Sequence, residues 1–155
     1  MGLDITAYRK LTSTTASQEE IENGTVFSIS DAGIDYTEKN FPGRTEGLKP
    51  GYYAFETSMR FRAGSYTGYG EWRSKLCEMV YGIPAKTIWR EERTEGPFIE
   101  LINFFDNEGI IGPKIAAKLV LDFAQWQDKV PAKDPSGFSW FAALDTKWRL
   151  AFELA

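Results

Sequence analysis

Residues 53–62, YAFETSMRFR, decide the fold class because their side chains alternate between two sets. One set is apolar apart from Thr57, and the other is mostly charged or polar. A period of two residues predicts a β-strand with one buried face. The period then changes, since apolar residues recur at helical spacing over residues 70–81 and Gly82 follows as a stop. A half-buried strand that leads into an amphipathic helix indicates a fold containing both sheet and helix.

The flanking sequence supplies the remaining elements. Further strands are predicted at residues 3–8, 26–29, 34–36 and 98–105, and loops at residues 12–24 and 37–51. Two more helices are predicted, one over residues 113–130 that begins at Pro113 and one over about residues 134–152. We therefore expect a single α+β domain over residues 1–155. Its antiparallel sheet would have about four to five strands, with three main helices packed on one face.

The composition excludes several classes of function. The chain of 155 residues has no histidine, which removes His-based catalytic triads, His metal ligands and His pH switches. Its single cysteine, Cys77, excludes an internal disulfide and is expected to be a small core residue rather than a reactive thiol. The net charge of −4 and the lack of a strongly basic segment argue against direct nucleic-acid binding. No apolar run is long enough for a membrane span, and no leader is recognised, so a cytoplasmic protein is expected.

A glycine-rich loop, GSYTGYG at residues 64–70, joins the best strand to the first predicted helix. Such loops can cradle phosphate, but this spacing matches neither the dinucleotide fingerprint nor a P-loop. The aromatic and polar side chains here could bind a ligand or contact a partner protein. These candidate binding residues are Ser65, Tyr66, Tyr69 and Arg73. The alternative is that the glycines only permit a tight turn.

A second loop carries two carboxylates and an amide, contributed by Asp106, Asn107 and Glu108. Carboxylates in this setting do acid–base work or bind a divalent cation, yet the stretch lacks the spacing of an EF-hand. They also cap turns and favour the positive end of a following helix. A third acidic group, Glu91, Glu92 and Glu95, follows the first helix. No catalytic residue, metal site or cofactor is predicted from these patterns.

The aromatic content of 15% exceeds what the core pattern uses and fits either a large-residue core or a protein–protein surface, including a homodimer.

Several motifs together resemble a family of small, mostly uncharacterised phage and prophage proteins. They are the opening MGLDITAY, the stretch FRAGSYTGY at residues 61–69, LINF and DNEG with IGP between residues 101 and 113, and the closing WR and AFELA. The profile is also similar to that of phage inhibitors of type I CRISPR surveillance complexes. The resemblance implies a protein without enzymatic activity that binds basic surfaces of a host defence complex, and so blocks target DNA binding or nuclease recruitment. Glutamates 91, 92 and 95 and the loop at residues 106–108 would carry that contact.

Three alternatives remain open. The first is a small-ligand, nucleotide-like binding protein in which the loops at residues 64–73 and 106–113 meet in one cleft. The second is a homo-oligomeric structural component of a phage. The third is a metal-dependent hydrolase that uses Asp106 and Glu108.

Overall fold

Five strands form two antiparallel sheets in the computed structural model, which describes residues 2–104, 109–132 and 140–155. The inner sheet pairs β1 (Gly2–Arg9) with β5 (Thr57–Ser65), and its register sets Asp4 opposite Arg62 and Arg9 opposite Thr57. The outer sheet has the order β2-β4-β3, from β2 (Thr12–Thr14), β4 (Gly51–Ala54) and β3 (Val26–Ile29).

The α+β class is confirmed, but the strands are divided over two sheets instead of forming the single sheet predicted. The division falls inside the stretch at residues 53–62, where β4 ends at Ala54 and β5 begins at Thr57. The partner strand turns at the same level, since Lys10 adopts a φ of 51° and the carbonyl of Arg9 accepts from the amide of Glu56 at 3.0 Å. Side-chain alternation continues across this break, which is why the sequence indicated one strand.

Seven α-helices surround the sheets within the described residues. They are α1 (Gln18–Glu22), α2 (Asp31–Asn40), α3 (Tyr66–Tyr81), α4 (Ala85–Arg90), α5 (Ile99–Ile102), α6 (Pro113–Trp126), extended by a 3₁₀ turn over Gln127–Lys129, and α7 (Trp140–Leu154). The predicted stop of α3 is confirmed, because Gly82 takes the left-handed conformation with φ 68°. The start of α6 at Pro113 is also confirmed. The predicted start of the last helix, near residue 134, lies outside the described residues.

Three local predictions were wrong. Residues 34–36 lie inside α2, which begins where the hydroxyl of Ser30 accepts from the amide of Gly33 at 3.0 Å. Residues 99–102 form the short helix α5 instead of an inner strand. The predicted loop at residues 12–24 contains β2 and α1, and α1 is held by a capping box between Ser17 and Glu20.

The main core lies between the inner sheet and the helices α3, α4, α5, α6 and α7. At its centre the rings of Trp72 and Trp148 stack with centroids 5.3 Å apart, and Tyr69 lies beside both. Cys77 is fully buried there, as predicted for a core residue. The outer sheet contributes no residue to this cluster among the described ones; it meets the inner sheet where Phe27 stacks on Tyr8 at 4.0 Å.

Candidate functional site

The predicted glycine-rich loop is not a loop, because β5 ends at Ser65 and α3 begins at Tyr66. Its four predicted residues lie at this junction and along the helix, in different environments. Ser65 caps α3, because its hydroxyl accepts from the amide of Gly68 at 3.0 Å. Tyr66 is 40% exposed at the first position of the helix. Tyr69 and Arg73, one and two turns further on, are 0% and 6% exposed. The helix therefore turns half of the predicted group toward solvent and the other half into the core.

The two buried residues of the predicted group, Tyr69 and Arg73, form hydrogen bonds at the end of α5. The guanidinium of Arg73 donates to the carbonyls of Phe104 at 2.5 Å and Ile102 at 3.4 Å, and the hydroxyl of Tyr69 donates to the same Phe104 carbonyl at 3.2 Å. Helix α5 is short, so its last carbonyls need outside donors. Because these polar atoms serve internal carbonyls in the core, Tyr69 and Arg73 stabilise the fold and are not offered to an external ligand. This corrects their expected role as ligand-binding residues.

Trp89, at the end of α4, joins the buried group to the surface. Its indole N–H donates to the carbonyl of Ile102 at 3.0 Å, and the guanidinium of Arg73 lies 5.3 Å from its ring centroid. The ring nevertheless remains 38% exposed. Two contacts thus fix the orientation of an aromatic ring that presents one part to solvent.

A shallow groove runs along α3 to this ring. It is lined by α3 side chains that include Glu71, Ser74 and Glu78, and Trp89 closes one part of it. We call the groove, together with Tyr66, Trp89 and the exposed residues 91–95, the α3–α4 surface. Sequence patterns did not single out Trp89 as a site residue, although it stood outside any apolar stripe.

The predicted acidic group lies on the α3–α4 surface, since Glu91, Glu92 and Glu95 are all exposed. Glu91 is paired with Arg93 at 2.8 Å, and Arg93 also lies 5.2 Å from the ring centroid of Tyr81. Glu92 and Glu95 form no ion pair within the part of the chain that the structure describes. Their carboxylates are therefore exposed on the segment that follows Trp89 and are not held in an ion pair with any described residue.

The second predicted loop is described only from Gly109 onward, so Asp106, Asn107 and Glu108 lie outside the described residues. The amide of Ile110 donates to the hydroxyl of Thr37 at 3.2 Å, and the amide of Gly112 donates to the carbonyl of Arg44 at 2.7 Å. Residues 110–112 are thereby attached to α2 and to the turn that follows it. No periodic pattern in the sequence pointed to this contact, which joins residues far apart in the chain.

Arg44 is a buried cation that the sequence patterns missed. It is 8% exposed, and its guanidinium lies 5.5 Å from the ring centroid of Phe41 and 5.8 Å from that of Phe104. Burial lowers its pKa, while the charge of Glu100 acts in the opposite direction. The turn around it is held by Glu38, whose carboxylate accepts from the amides of Gly43 and Thr45, each at 2.7 Å.

The two predicted loops approach each other through the interior of the protein. Tyr69 and Arg73 contact the carbonyl of Phe104, directly before the second loop. At the surface, however, the described parts face different depressions, since the first loop borders the groove of α3 and residues 109–111 border a cleft next to β1. Neither of these two depressions is bordered by the described parts of both loops, as a shared nucleotide-like site would be.

No protein-family model, curated protein or solved structure matches the chain. No helix in the described ranges is both long and apolar enough to cross a membrane. Within the same ranges, no three side chains of the His, Cys, Asp or Glu types lie together as metal ligands would. The contact geometry of the α3–α4 surface is therefore the basis for a proposal about function.

Proposed function

We propose that the chain is a phage-encoded anti-defence protein that binds a type I CRISPR surveillance complex and blocks DNA binding or nuclease recruitment. The proposal assigns the contact to the α3–α4 surface and to direct binding without catalysis. The family resemblance of its motifs supplies the biological setting. The observation that carries the contact itself is the half-exposed, internally fixed ring of Trp89.

A fixed aromatic ring suits a binding role for an energetic reason. Ordering a mobile side chain at an interface costs about 0.5–1.5 kcal/mol, and binding must offset that cost. Trp89 is already held by the carbonyl of Ile102 and by the guanidinium of Arg73 before any partner arrives. Tryptophan and tyrosine are also the residues most often found at the energetic centre of interfaces. Tyr66 adds a second exposed ring on the same surface.

The carboxylates beside Trp89 support the choice of a basic partner. Glu92 and Glu95 are exposed and lack ion pairs among the described residues, so their carboxylates are available to a partner's lysines or arginines. A protein surface that binds target DNA is rich in such cations. Carboxylates that occupy those cations compete with phosphate, and complementary charge also accelerates the encounter.

An interference assay tests the proposal in bacteria that carry a type I CRISPR system. We expect expression of the chain to restore plating of a targeted phage and an affinity-tagged chain to capture subunits of the complex from lysate. Failure of both results would overturn the proposal. Capture without restored plating would overturn the inhibitory role alone.

A charge-reversal variant tests the assigned surface. The substitutions Glu91→Lys, Glu92→Lys and Glu95→Lys are expected to weaken capture at least about tenfold, since each removes an attraction and adds a repulsion. The matched control places Glu19→Lys, Glu22→Lys and Asp35→Lys in α1 and α2, where these residues are also exposed. Both variants have the same net charge, so equal losses would contradict a role for the α3–α4 surface.

A further inference from the structure

A cleft of about 620 Å³ lies next to β1, on a part of the molecule separate from the α3–α4 surface. Its walls come from β1, from β3, from residues 109–111 and from the C-terminal end of α7. The apolar lining includes Phe27, Phe104, Trp148 and Phe152. The volume falls within the range of about 300–1,000 Å³ typical of ligand sites.

The cleft runs along an edge of β1. All five consecutive residues from Asp4 to Tyr8 line it. Side chains of consecutive strand residues point to opposite faces of a sheet, so a cavity on one face would contact only every second residue. A cavity that contacts every residue of the run must therefore lie beside the strand, at its edge.

That edge has no partner strand. Within the described ranges, β1 pairs only with β5, which covers one of its two edges. Among the described residues, no backbone hydrogen bond outside this ladder involves residues 3–8. A strand edge presents alternating N–H and C=O groups, and these groups attract any chain that can pair with them.

We propose that this cleft binds an extended peptide segment of a partner protein, which adds a strand to the free edge of β1. Purely apolar occupants are disfavoured because they would bury the backbone groups of β1 without hydrogen bonds, at a cost of about 1–3 kcal/mol for each group. An extended peptide carries the complementary donors and acceptors at the matching spacing. Strand addition of this kind derives its affinity from the backbone and its selectivity from pockets for alternate side chains.

The lining specifies the side chains of the bound segment. Ile5 and Ala7 face the main core, and Trp148 and Phe152 of α7 border the cleft. Peptide residues in register with Ile5 and Ala7 are therefore expected to be apolar. Among the described residues of the lining, the charged ones are Asp4 and Lys10, and Lys10 is already paired with Glu56 at 2.6 Å. A basic residue near Asp4 completes the motif, because the pair of Asp4 with Arg60 is long, at 3.8 Å.

The length of the bound peptide follows from the number of β1 residues that line the cleft. Five residues of strand, at about 3.4 Å each, span about 17 Å. We would therefore select phage-displayed random peptides of about seven residues against the full chain. The expected result is enrichment of peptides with apolar residues at alternate positions and a basic residue toward one end. The proposal is overturned if no peptide is enriched.

A backbone test separates strand pairing from simple apolar binding. The selected peptide is synthesised in two forms, each N-methylated at one of the two alternating sets of amides. Only one set of amides faces a paired strand, so one form is expected to lose affinity at least about tenfold while the other binds like the parent peptide. Equal binding by both forms would overturn strand pairing.

A variant of the protein tests the location. Ser28 is exposed on β3 and lines the cleft, so Ser28→Trp is expected to fill it and weaken peptide binding at least about tenfold. Ser13→Trp is the matched control, since Ser13 is an exposed serine of the same sheet outside the lining. Unchanged binding to a folded Ser28→Trp chain would overturn the site. If circular dichroism shows that Ser28→Trp does not fold, the comparison of the two N-methylated peptides tests the proposal instead.

Discussion

Asp145 is a buried carboxylic acid whose ionisation lowers the stability of the fold. It lies in α7 with 4% of its surface exposed, and its Oδ1 atom has no hydrogen-bond partner. Burial raises the pKa of this carboxyl to about 6, and the charge of Arg149 opposes the rise only in part. Between about pH 4 and 6 the folded chain therefore holds a proton that the unfolded chain releases. Stability from this group falls as pH rises through that interval.

The substitution Asp145→Asn tests this cost. It is expected to raise the free energy of unfolding at pH 7.5 by about 1–3 kcal/mol and to flatten its decline between pH 4 and 6, because the amide cannot ionise. Urea unfolding at pH 5 and 7.5 measures both effects. Glu153→Gln, a half-exposed acid on the same helix, is the control and should change the value by less than about 1 kcal/mol. A wild-type chain equally stable at both pH values would contradict the assignment.

Glu38 affects the pH dependence of stability in the opposite direction to Asp145. Its carboxylate accepts from the amides of Gly43 and Thr45 and from the Thr45 hydroxyl, and these bonds lower its pKa. The resulting stability is present at neutral pH and is lost as pH falls through the lowered pKa. We expect Glu38→Ala to cost about 2 kcal/mol at pH 7 in urea unfolding. Glu46→Ala, which removes an exposed pair with Lys114, should cost less than about 1 kcal/mol.

At the scale of elements, strong periodicity was reliable and short apolar runs were not. Helices α3 and α6 each have a long apolar stripe and a clear boundary residue, Gly82 or Pro113, and both boundaries were predicted correctly. The start of α3 was not, since the helix begins at Tyr66, four residues before the predicted start. Helix α5 has one turn, and all of its residues, Ile99–Ile102, are buried. A helix buried on every side has no polar face, so its sequence looks like that of a buried strand.

The candidate site shows the same limit. The sequence singled out residues 64–73, but residues from Tyr66 onward belong to α3 instead of a loop. The burial of Tyr69 and Arg73 depends on α5, which lies about thirty residues later. Trp89 stood outside any apolar stripe in the sequence, but its place in the site comes from two tertiary contacts, with Ile102 and Arg73. Local patterns report which residues are unusual, whereas their roles depend on contacts between distant segments.

The attachment of α5 to α3 can be tested through Arg73. Arg73→Met removes the charged donor from the Phe104 and Ile102 carbonyls and is expected to lower the free energy of unfolding by about 2–3 kcal/mol. Lys75→Met on the same helix removes a cation that only lies near the ring of Trp140, and should cost less than about 1 kcal/mol. Equal losses in urea unfolding would show that the carbonyl contacts of Arg73 contribute little.

At the scale of the molecule, stability is expected to be uneven. The inner sheet shares the main core with five helices, whereas the outer sheet contacts it through a small aromatic group that includes Tyr8, Phe27 and Phe55. Segments with fewer buried contacts open at lower free energy than the rest of the fold. The amides of β3 and β4 should therefore exchange hydrogen faster than those of α3 and α6.

Phe27→Ala is expected to widen this difference. Loss of the stack with Tyr8 should speed exchange in β3 and β4 by about tenfold or more and leave α3 and α6 nearly unchanged, as hydrogen-exchange mass spectrometry would measure. Tyr52→Ala removes an exposed ring from the same sheet and should have little effect. Uniform acceleration across the chain would instead indicate that both sheets open together.

The buried thiol of Cys77 can be used to measure how fast the protein opens around it. Its Sγ lies 3.3 Å from the carbonyl of Ile83, and burial raises its pKa to about 11, so a disulfide reagent cannot attack it in the closed state. When the reagent reacts faster than the site closes, the labelling rate equals the rate of the opening that exposes Cys77. Gly82→Ala should speed labelling about fivefold, since a left-handed alanine costs about 1 kcal/mol. Because the chain has one cysteine, every labelled molecule reports one event at one known place.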